Sequence, residues 1–155
     1  MTTHRILLAE DDGDLRIVLA ETLREQGHQV NEVADGNRLA EALGAVLVGG
    51  PLAFDLVVAD LHMPGWSALG LLDVLRSRPG CPPFILMSGF GDDADRGQAR
   101  RLGALGLLEK PFSPRALLAL VDASGVAWLR HAQPIAGGPE PFQGSGTIDS
   151  EERSS

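Results

Sequence analysis

The sequence predicts an α/β fold: a doubly wound, five-stranded parallel sheet with helices on both faces, which makes three layers. Short apolar runs alternate along the chain with segments whose apolar residues recur at helical spacing, and this alternation is typical of βαβ units. Residues 56–59 and 84–87 are apolar at every position, as expected of central strands that are buried on both sides. The length of 155 residues, with 44% hydrophobic and 22% charged side chains, fits one globular domain.

The first half of the chain supplies two strands and two helices. Residues 6–9 are the first apolar run, and a helical stripe over residues 15–23 follows it. Residues 29–34 mix two valines with polar side chains and are too polar for a strand buried on both faces, which favours a strand at the edge of the sheet. A second helical stripe spans residues 39–47 and is predicted to form one helix.

The remaining elements follow the same alternation. In chain order they are a strand at 56–59, a helix at 68–75, a strand at 84–87, a helix at 92–102, a strand at 106–108 and a helix from Ser113. Ser113 and Pro114 supply the cap and the first residue of that last helix. The helix at 92–102 is rich in Arg and Asp and only weakly amphipathic, so we expect it to be the least firmly packed.

Two regions of different composition divide the chain. We expect residues 1–130 to fold as the domain and residues 131–155 to form a disordered tail. The tail is rich in Gly, Pro, Ser and Glu and cannot bury enough apolar surface to offset the entropy of ordering it.

Charge, cysteine content and hydropathy limit the classes of function. A net charge of −8 without a basic stripe argues against direct binding of nucleic acid. The single cysteine, Cys81, cannot form an intrachain disulfide, which fits a reducing compartment. No apolar run reaches the length of a membrane span or forms a signal-peptide core, so we expect a cytoplasmic protein without membrane insertion.

Residues that can carry chemistry lie directly after the predicted strands, where an open parallel sheet binds its ligands. In chain order they are Glu10, Asp11, Asp12, Asp60, Ser88 and Lys110. Clustered carboxylates repel one another, and a hard divalent cation with oxygen ligands relieves that repulsion. The pattern therefore predicts a Mg²⁺ site at this end of the sheet.

Asp60 is the candidate nucleophile. A carboxylate can attack a phosphoryl donor to form an acyl phosphate, whose oxygens need a metal ion, a cation and a hydroxyl donor around them. Mg²⁺, Lys110 and Ser88 match these three roles. Lys110 is the only lysine among the 13 basic residues, and its compact ammonium can reach a carboxylate and a phosphoryl oxygen together.

Each of these residues also has a purely structural explanation. Asp11 or Asp12 could cap the first helix, and Asp60 could belong to an ordinary turn before Pro64. Ser88 could likewise be a turn residue, and Lys110 could be a solvated loop lysine. The structural explanation is weak for the set as a whole, because residues suited to the same chemistry follow all four of these strands.

The motifs ILLAEDDGDLR, ADG, LVVADLHMPG, ILMSG and LEKPFSP occur in this order and together resemble the receiver domain of response regulators. The resemblance covers about residues 5–123, and single-domain chemotaxis regulators are the simplest members of that family. It implies a flavodoxin-like sheet with the strand order 2-1-3-4-5. It also implies a cis peptide bond between Lys110 and Pro111.

Site roles follow from the resemblance position by position. It implies that Mg²⁺ is held by Glu10, Asp11, Asp60 and the main-chain carbonyl of His62. Asp60 would become the aspartyl phosphate, Ser88 would contribute the hydroxyl, and Lys110 would pair with a phosphoryl oxygen.

The sequence departs from the family in a few places. Leu107 stands three residues before the lysine, where the family commonly has a rotating Tyr or Phe, so aromatic switching is not expected. Residues 46–54 lengthen the path from the second helix to the third strand. His62 and Phe90 occupy positions that resemble those tuning phosphoryl lifetime in the family.

The expected function is that of a two-component signalling switch, a phosphoprotein and not an enzyme beyond assisting its own aspartyl phosphorylation and dephosphorylation. A histidine kinase or a histidine phosphotransfer protein would donate the phosphoryl group to Asp60. The output would be a protein contact through the face formed by the helix at 92–102, the fifth strand and the last helix, or onward phosphorelay, since no effector domain is expected in the remaining residues. The rivals are a haloacid-dehalogenase-like phosphatase, which lacks its second carboxylate here because His62 stands in that position, and a receiver-like module that takes no phosphate.

Overall fold

The computed structural model describes residues 3–50, 53–89 and 93–132, with side chains described up to Ser124. The strands are β1 Arg5–Ala9, β2 Gln29–Val33, β3 Leu56–Asp60, β4 Phe84–Ser88 and β5 Gly106–Glu109. The helices are α1 Gly13–Glu25, α2 Gly36–Ala42, α3 Gly44–Leu47, α4 Ala68–Leu75, α5 Asp93–Arg101 and α6 Pro114–Ala132.

The sheet confirms the predicted fold class. Its five strands are parallel and lie in the order β2-β1-β3-β4-β5. All five positions of β3 and of β4 are buried, as expected for central strands. The polar strand β2 lies at the edge, where only Val30 is buried.

Alternate residues of the strands build two hydrophobic cores, one on each face of the sheet. Leu7 and Ala9 of β1 point to the face that α2, α4 and α5 cover. Ile6 and Leu8 point to the opposite face, which α1 and α6 cover. The doubly wound, three-layer architecture follows from this division.

The second predicted helix is divided in the structure. α2 ends before Leu43, whose φ of −97° and ψ of 4° are not helical, and the short helix α3 begins at Gly44. The prediction of one helix was wrong in this detail because Leu43 and Val46 are buried and keep the apolar spacing across the break. Val48, just beyond α3, is 83% exposed and begins the lengthened path to β3.

The cap predicted for the last helix is confirmed. The N–H of Ala116 donates to Ser113 Oγ at 3.2 Å and caps α6. The backbone of α6 continues to Ala132, two residues into the predicted tail of residues 131–155, and the rest of that tail lies outside the described residues. Within the described part of the chain, no helix is both long and apolar enough to cross a membrane.

Candidate functional site

The candidate site lies at the carboxyl ends of four neighbouring strands. Glu10 follows β1, Asp60 ends β3, Ser88 ends β4, and Lys110 follows β5. Because these strands are parallel neighbours, their ends meet at one edge of the sheet.

Three carboxylates form a cluster at this edge. One oxygen each from Glu10, Asp11 and Asp60 lies within 4.8 Å of the others. Glu10 and Asp60 are buried, whereas Asp11 is exposed. Oxygen ligands at this spacing, open to solvent on one side, suit a divalent cation such as Mg²⁺ that keeps part of its water shell.

Both carboxylate oxygens of Asp60 accept hydrogen bonds. The ammonium of Lys110 donates to Oδ2 at 2.6 Å, and the backbone N–H of His62 donates to Oδ1 at 3.0 Å. Lys110 also donates to Oε1 of Glu10 at 2.9 Å. One ammonium therefore joins two of the three carboxylates in the cluster.

Burial and pairing act in opposite directions on the charges of this site. Burial raises the pKa of Glu10 above its ordinary value, and the hydrogen bond from Lys110 offsets part of that effect. Burial lowers the pKa of Lys110, but hydrogen bonds to Asp60 and Glu10 outweigh it, so the pKa is raised. Lys110 therefore keeps its positive charge at neutral pH.

Ser88 contributes a hydroxyl that lacks a partner. Its side chain is fully buried, and among the described residues nothing accepts from or donates to its Oγ. A buried unpaired hydroxyl costs free energy, so such a group indicates a place where a ligand or water supplies the missing contact. An anionic oxygen bound at the carboxyl end of β4 would do so.

The acidic run after β1 divides between two tasks. Asp12 caps α1, because its Oδ1 accepts from the N–H groups of Asp14 at 3.0 Å and Leu15 at 3.2 Å. Asp11 belongs to the carboxylate cluster instead. The sequence left open which of the two aspartates is the cap, and the structure assigns that task to Asp12.

Gly36 supports the loop that follows Asp60. Its N–H donates to the carbonyl of Pro64 at 2.8 Å, and a Cβ at this position would lie 1.8 Å from the carbonyl oxygen of Trp66. Only a residue without a side chain permits this approach. Sequence reasoning noted the ADG motif but missed this task, which depends on how two distant loops meet.

Other predicted features lie around the site. The Lys110–Pro111 peptide bond is cis, as the resemblance implied. Leu107 is 4% exposed and packs in the core beneath α4 and α5, at the position where an aromatic switch was not expected. The ring of His62 lies on the surface, with Nε2 3.2 Å from Oδ2 of Asp95. Phe90 lies outside the described residues.

Comparisons with known sequences point in the same direction. The transcriptional activator protein PfeR of Pseudomonas aeruginosa is 41% identical over 129 residues, which cover 83% of this chain and 39% of PfeR. The transcriptional regulatory protein FixJ of Bradyrhizobium diazoefficiens is 32% identical over 137 residues, which cover 88% of this chain and 62% of FixJ. The chain thus spans less than two thirds of the length of these relatives.

Solved structures share the fold as well. The chemotaxis response regulator CheY4 of Vibrio cholerae superposes with a TM-score of 0.65 at 26% identity, covering 79% of this chain and 99% of CheY4. NtrX from Brucella abortus superposes with a TM-score of 0.71 at 25% identity, covering 83% of this chain and 29% of NtrX. The family model of the response regulator receiver domain matches residues 6–122. The chain therefore belongs to the receiver domain family of two-component response regulators.

Proposed function

We propose that the chain takes a phosphoryl group on Asp60 from a histidine kinase or a histidine phosphotransfer protein, in the presence of Mg²⁺. Receiver domains generally bind Mg²⁺ at an acidic pocket and take phosphoryl groups from histidine kinases. The observation that carries the proposal is the environment of Asp60. Its two oxygens bind Lys110 and the N–H of His62, and two further carboxylates lie beside it.

The transfer is a nucleophilic displacement at phosphorus. A carboxylate oxygen of Asp60 forms a bond to phosphorus, and the bond from phosphorus to the donor's imidazole nitrogen breaks. The electron pair of that bond returns to the imidazole nitrogen. The imidazole leaves neutral if its other nitrogen already carries a proton, and otherwise the freed nitrogen takes a proton from solvent. The product is an acyl phosphate on Asp60.

The residues suited to hold Mg²⁺ are Glu10, Asp11, Asp60 and the main-chain carbonyl of His62. The ion, when bound, neutralises charge on the phosphoryl oxygens and orients them. The fit rests on the all-oxygen donor set and on the spacing of the three carboxylates.

Lys110 and Ser88 account for the remaining charge of the phosphoryl group. When an oxygen of Asp60 becomes bonded to phosphorus, the ammonium of Lys110 is free to pair with a phosphoryl oxygen. The unpaired hydroxyl of Ser88 supplies a second donor. The same residues assist phosphoryl loss, in which water attacks phosphorus and the carboxylate leaves, so the chain acts on its own acyl phosphate.

We propose that the signal leaves through the face formed by α5, β5 and α6, by contact with a downstream protein or by onward transfer of the phosphoryl group. This face adjoins the site, because Ser88 and Lys110 lie at the ends of β4 and β5. Among the helices whose side chains are described, α5 is the most polar, and Ala99 is its one buried residue. Little apolar contact within this helix therefore opposes a shift in its position.

The rival phosphatase chemistry requires a second carboxylate two residues after the nucleophile. His62 stands there, and its imidazole contacts Asp95 on the protein surface. Transfer from a phosphohistidine donor separates the proposed switch from this phosphatase.

The donor is tested by mixing the chain with histidine kinases or phosphotransfer proteins that carry a phosphohistidine. We expect the phosphoryl group to move to the chain and then to be released by hydroxylamine, which cleaves acyl phosphates but not phosphate esters. The same chain with Asp60→Asn should accept nothing. Transfer to a hydroxylamine-resistant group, or equal transfer to the Asp60→Asn chain, would contradict the proposal.

A further inference from the structure

Helix α5 buries few apolar side chains of its own. Of its nine residues, all within the described part of the chain, only Ala99 is buried. A helix that removes so little apolar surface from water gains little from the hydrophobic effect. Besides Ala99 and the buried Leu102 that directly follows the helix, the polar contacts of its other side chains therefore help to fix its position.

Two neighbouring residues of α5 reach the strands on either side of β4. Oδ2 of Asp95 lies 3.2 Å from Nε2 of His62, just after β3. Nη1 of Arg96 lies 3.1 Å from Oε2 of Glu109, the last residue of β5. We call these two contacts, His62–Asp95 and Arg96–Glu109, the α5 clamp. The first does not require a charged histidine, because a neutral imidazole with its proton on Nε2 also donates to a carboxylate.

The α5 clamp leads to both oxygens of the acceptor carboxylate. The backbone N–H of His62 donates to Oδ1 of Asp60 at 3.0 Å. Glu109 is followed directly by Lys110, whose ammonium donates to Oδ2 at 2.6 Å. A displacement of α5 would therefore act on the two groups that hold Asp60, from two different strands.

We propose that Asp95 and Arg96 are positioning residues for the phosphorylation of Asp60. Through the α5 clamp they fix the backbone amide and the ammonium that bind the two oxygens of its carboxylate. This inference rests on the proposed function, because it gives the clamp a part in phosphoryl transfer. Neither residue touches the reacting atoms.

The clamp also provides a route by which phosphorylation reaches α5. When one oxygen of Asp60 becomes bonded to phosphorus, its contact with the amide of His62 or the ammonium of Lys110 changes. The clamp residue on the same side, His62 or Glu109, then shifts with that group. Coupling of this kind is reciprocal, so the state of α5 must alter the acceptor as much as the acceptor alters α5. The route requires no aromatic ring at position 107, where the chain has the buried Leu107.

A double-mutant cycle tests the clamp. The variants are Asp95→Asn, His62→Asn and both together, with Asp73→Asn as the matched control. Asp73 is an exposed carboxylate on α4 that pairs with Arg76, the residue directly after that helix. The readout is the initial rate of phosphoryl mass gain with acetyl phosphate and Mg²⁺, measured beside the urea midpoint of each variant.

We expect Asp95→Asn to slow phosphorylation roughly two- to fivefold, the range that exposed ion pairs support. The double variant should be no slower than His62→Asn alone, because the two side chains act through one contact. Asp73→Asn should phosphorylate at the wild-type rate. Arg96→Gln and Glu109→Gln form an equivalent second pair in case one variant of the first pair folds poorly.

Hydrogen exchange of the unphosphorylated chain gives a readout that does not depend on activity. Exchange of the α5 amides should become about two- to fivefold faster in Asp95→Asn and stay unchanged in Asp73→Asn. A merely structural contact would change this exchange without changing the phosphorylation rate.

The outcomes separate the two proposals. If the wild type gains phosphoryl mass and Asp95→Asn matches it, or slows it independently of His62, the positioning role is overturned while the proposed function stands. If the wild type gains no phosphoryl mass from any donor, the proposed function and the positioning role both fail.

Discussion

The ammonium of Lys110 donates to Oδ2 of Asp60 across 2.6 Å, although the two residues are 50 positions apart in the chain. The contact exists because β3 and β5 lie on either side of β4 and end at the same edge of the sheet. It keeps the ammonium charged, since pairing outweighs the effect of burial and raises the pKa of Lys110. In the proposed transfer, the carboxylate of Asp60 and the ammonium of Lys110 would thus be in place before a donor binds, which would lower the reorganisation needed.

Ser88→Ala should separate folding from phosphoryl transfer. Because Ser88 Oγ is buried and lacks a hydrogen-bond partner among the described residues, its removal should leave the free energy of unfolding unchanged or raise it by about 1 kcal/mol or less. The same change should slow phosphorylation by about tenfold or more, since a donor to the phosphoryl oxygens is lost. Urea unfolding and the rate of mass gain measure the two effects.

Ser124→Ala is the matched control for that experiment. Ser124 is also buried, but its hydroxyl donates to the carbonyl of Val121 at 2.5 Å. Loss of this hydrogen bond should lower the free energy of unfolding by about 0.5–1.5 kcal/mol and leave the phosphorylation rate unchanged. A Ser88→Ala chain that loses as much stability as Ser124→Ala and phosphorylates normally would contradict the role given to Ser88.

Mg²⁺ should stabilise the chain through the carboxylate cluster. At about 100 times its dissociation constant, one bound ion adds about 2.7 kcal/mol to the free energy of unfolding. Asp11→Asn removes one carboxylate of the cluster and should abolish most of that gain, whereas Glu21→Gln, an exposed change on α1, should keep it. Thermal melts with Mg²⁺ and with EDTA provide the comparison, and an equal Mg²⁺ response in the two variants would argue against the site.

Gly36→Ala should destabilise the fold at the loop that follows Asp60. The added Cβ would meet the carbonyl oxygen of Trp66 at 1.8 Å, so backbone must move, at a cost of about 2–4 kcal/mol. Gly44→Ala is the control, because a Cβ at the start of α3 meets nothing within 4 Å. That change should be neutral or stabilise the chain by up to about 1 kcal/mol. Similar free energies of unfolding for the two variants would refute the close approach.

His28 should make stability depend on pH at the end of the sheet away from the site. Its Nδ1 accepts from the N–H of His4 at 3.0 Å, which requires an unprotonated nitrogen, and burial together with the neighbouring His4 lowers the pKa of His28 below its ordinary 6.5. The unfolded chain therefore binds the proton first as pH falls. Stability should be highest above about pH 6.5, decrease below it, and level off once folded His28 is also protonated.

His28→Gln tests that dependence. Glutamine keeps an acceptor for the N–H of His4 but does not titrate, so the decline in the free energy of unfolding below about pH 6.5 should become shallower. Urea titrations from pH 8 to pH 5 on both chains give the curves. Parallel curves for wild type and variant would show that His28 does not contribute to the pH dependence.

Much of the fold followed from local patterns. Burial determines which residues are apolar, so it can be predicted from the sequence. The strands β3 and β4 are apolar and fully buried, whereas the edge strand β2 is polar and mostly exposed. The break between α2 and α3 did not follow, because Leu43 is buried and continues the apolar spacing although its backbone leaves the helix. Periodicity reports which side chains are buried and is insensitive to a single non-helical residue.

The positions of the candidate site residues were predictable because these residues end strands or directly follow them. Asp60 and Ser88 end β3 and β4, Lys110 directly follows β5, and the structure brings these strand ends together. The contact of His62 with Asp95 and the approach of Gly36 to Trp66 were not predictable, since each depends on the path of a loop or the position of a helix. Which of Asp11 and Asp12 caps α1 was likewise not predictable, because it depends on the path of the chain after β1.

The central claim is that Asp60 accepts the phosphoryl group with Mg²⁺ as the required ion. Intact-mass analysis after incubation with acetyl phosphate tests it most directly, on the wild type with Mg²⁺, the wild type with EDTA, and Asp60→Ala with Mg²⁺. We predict a gain of one phosphoryl mass only in the first sample. No gain in the wild type, including with phosphorylated histidine kinases as donors, or an equal gain in Asp60→Ala, would contradict the account.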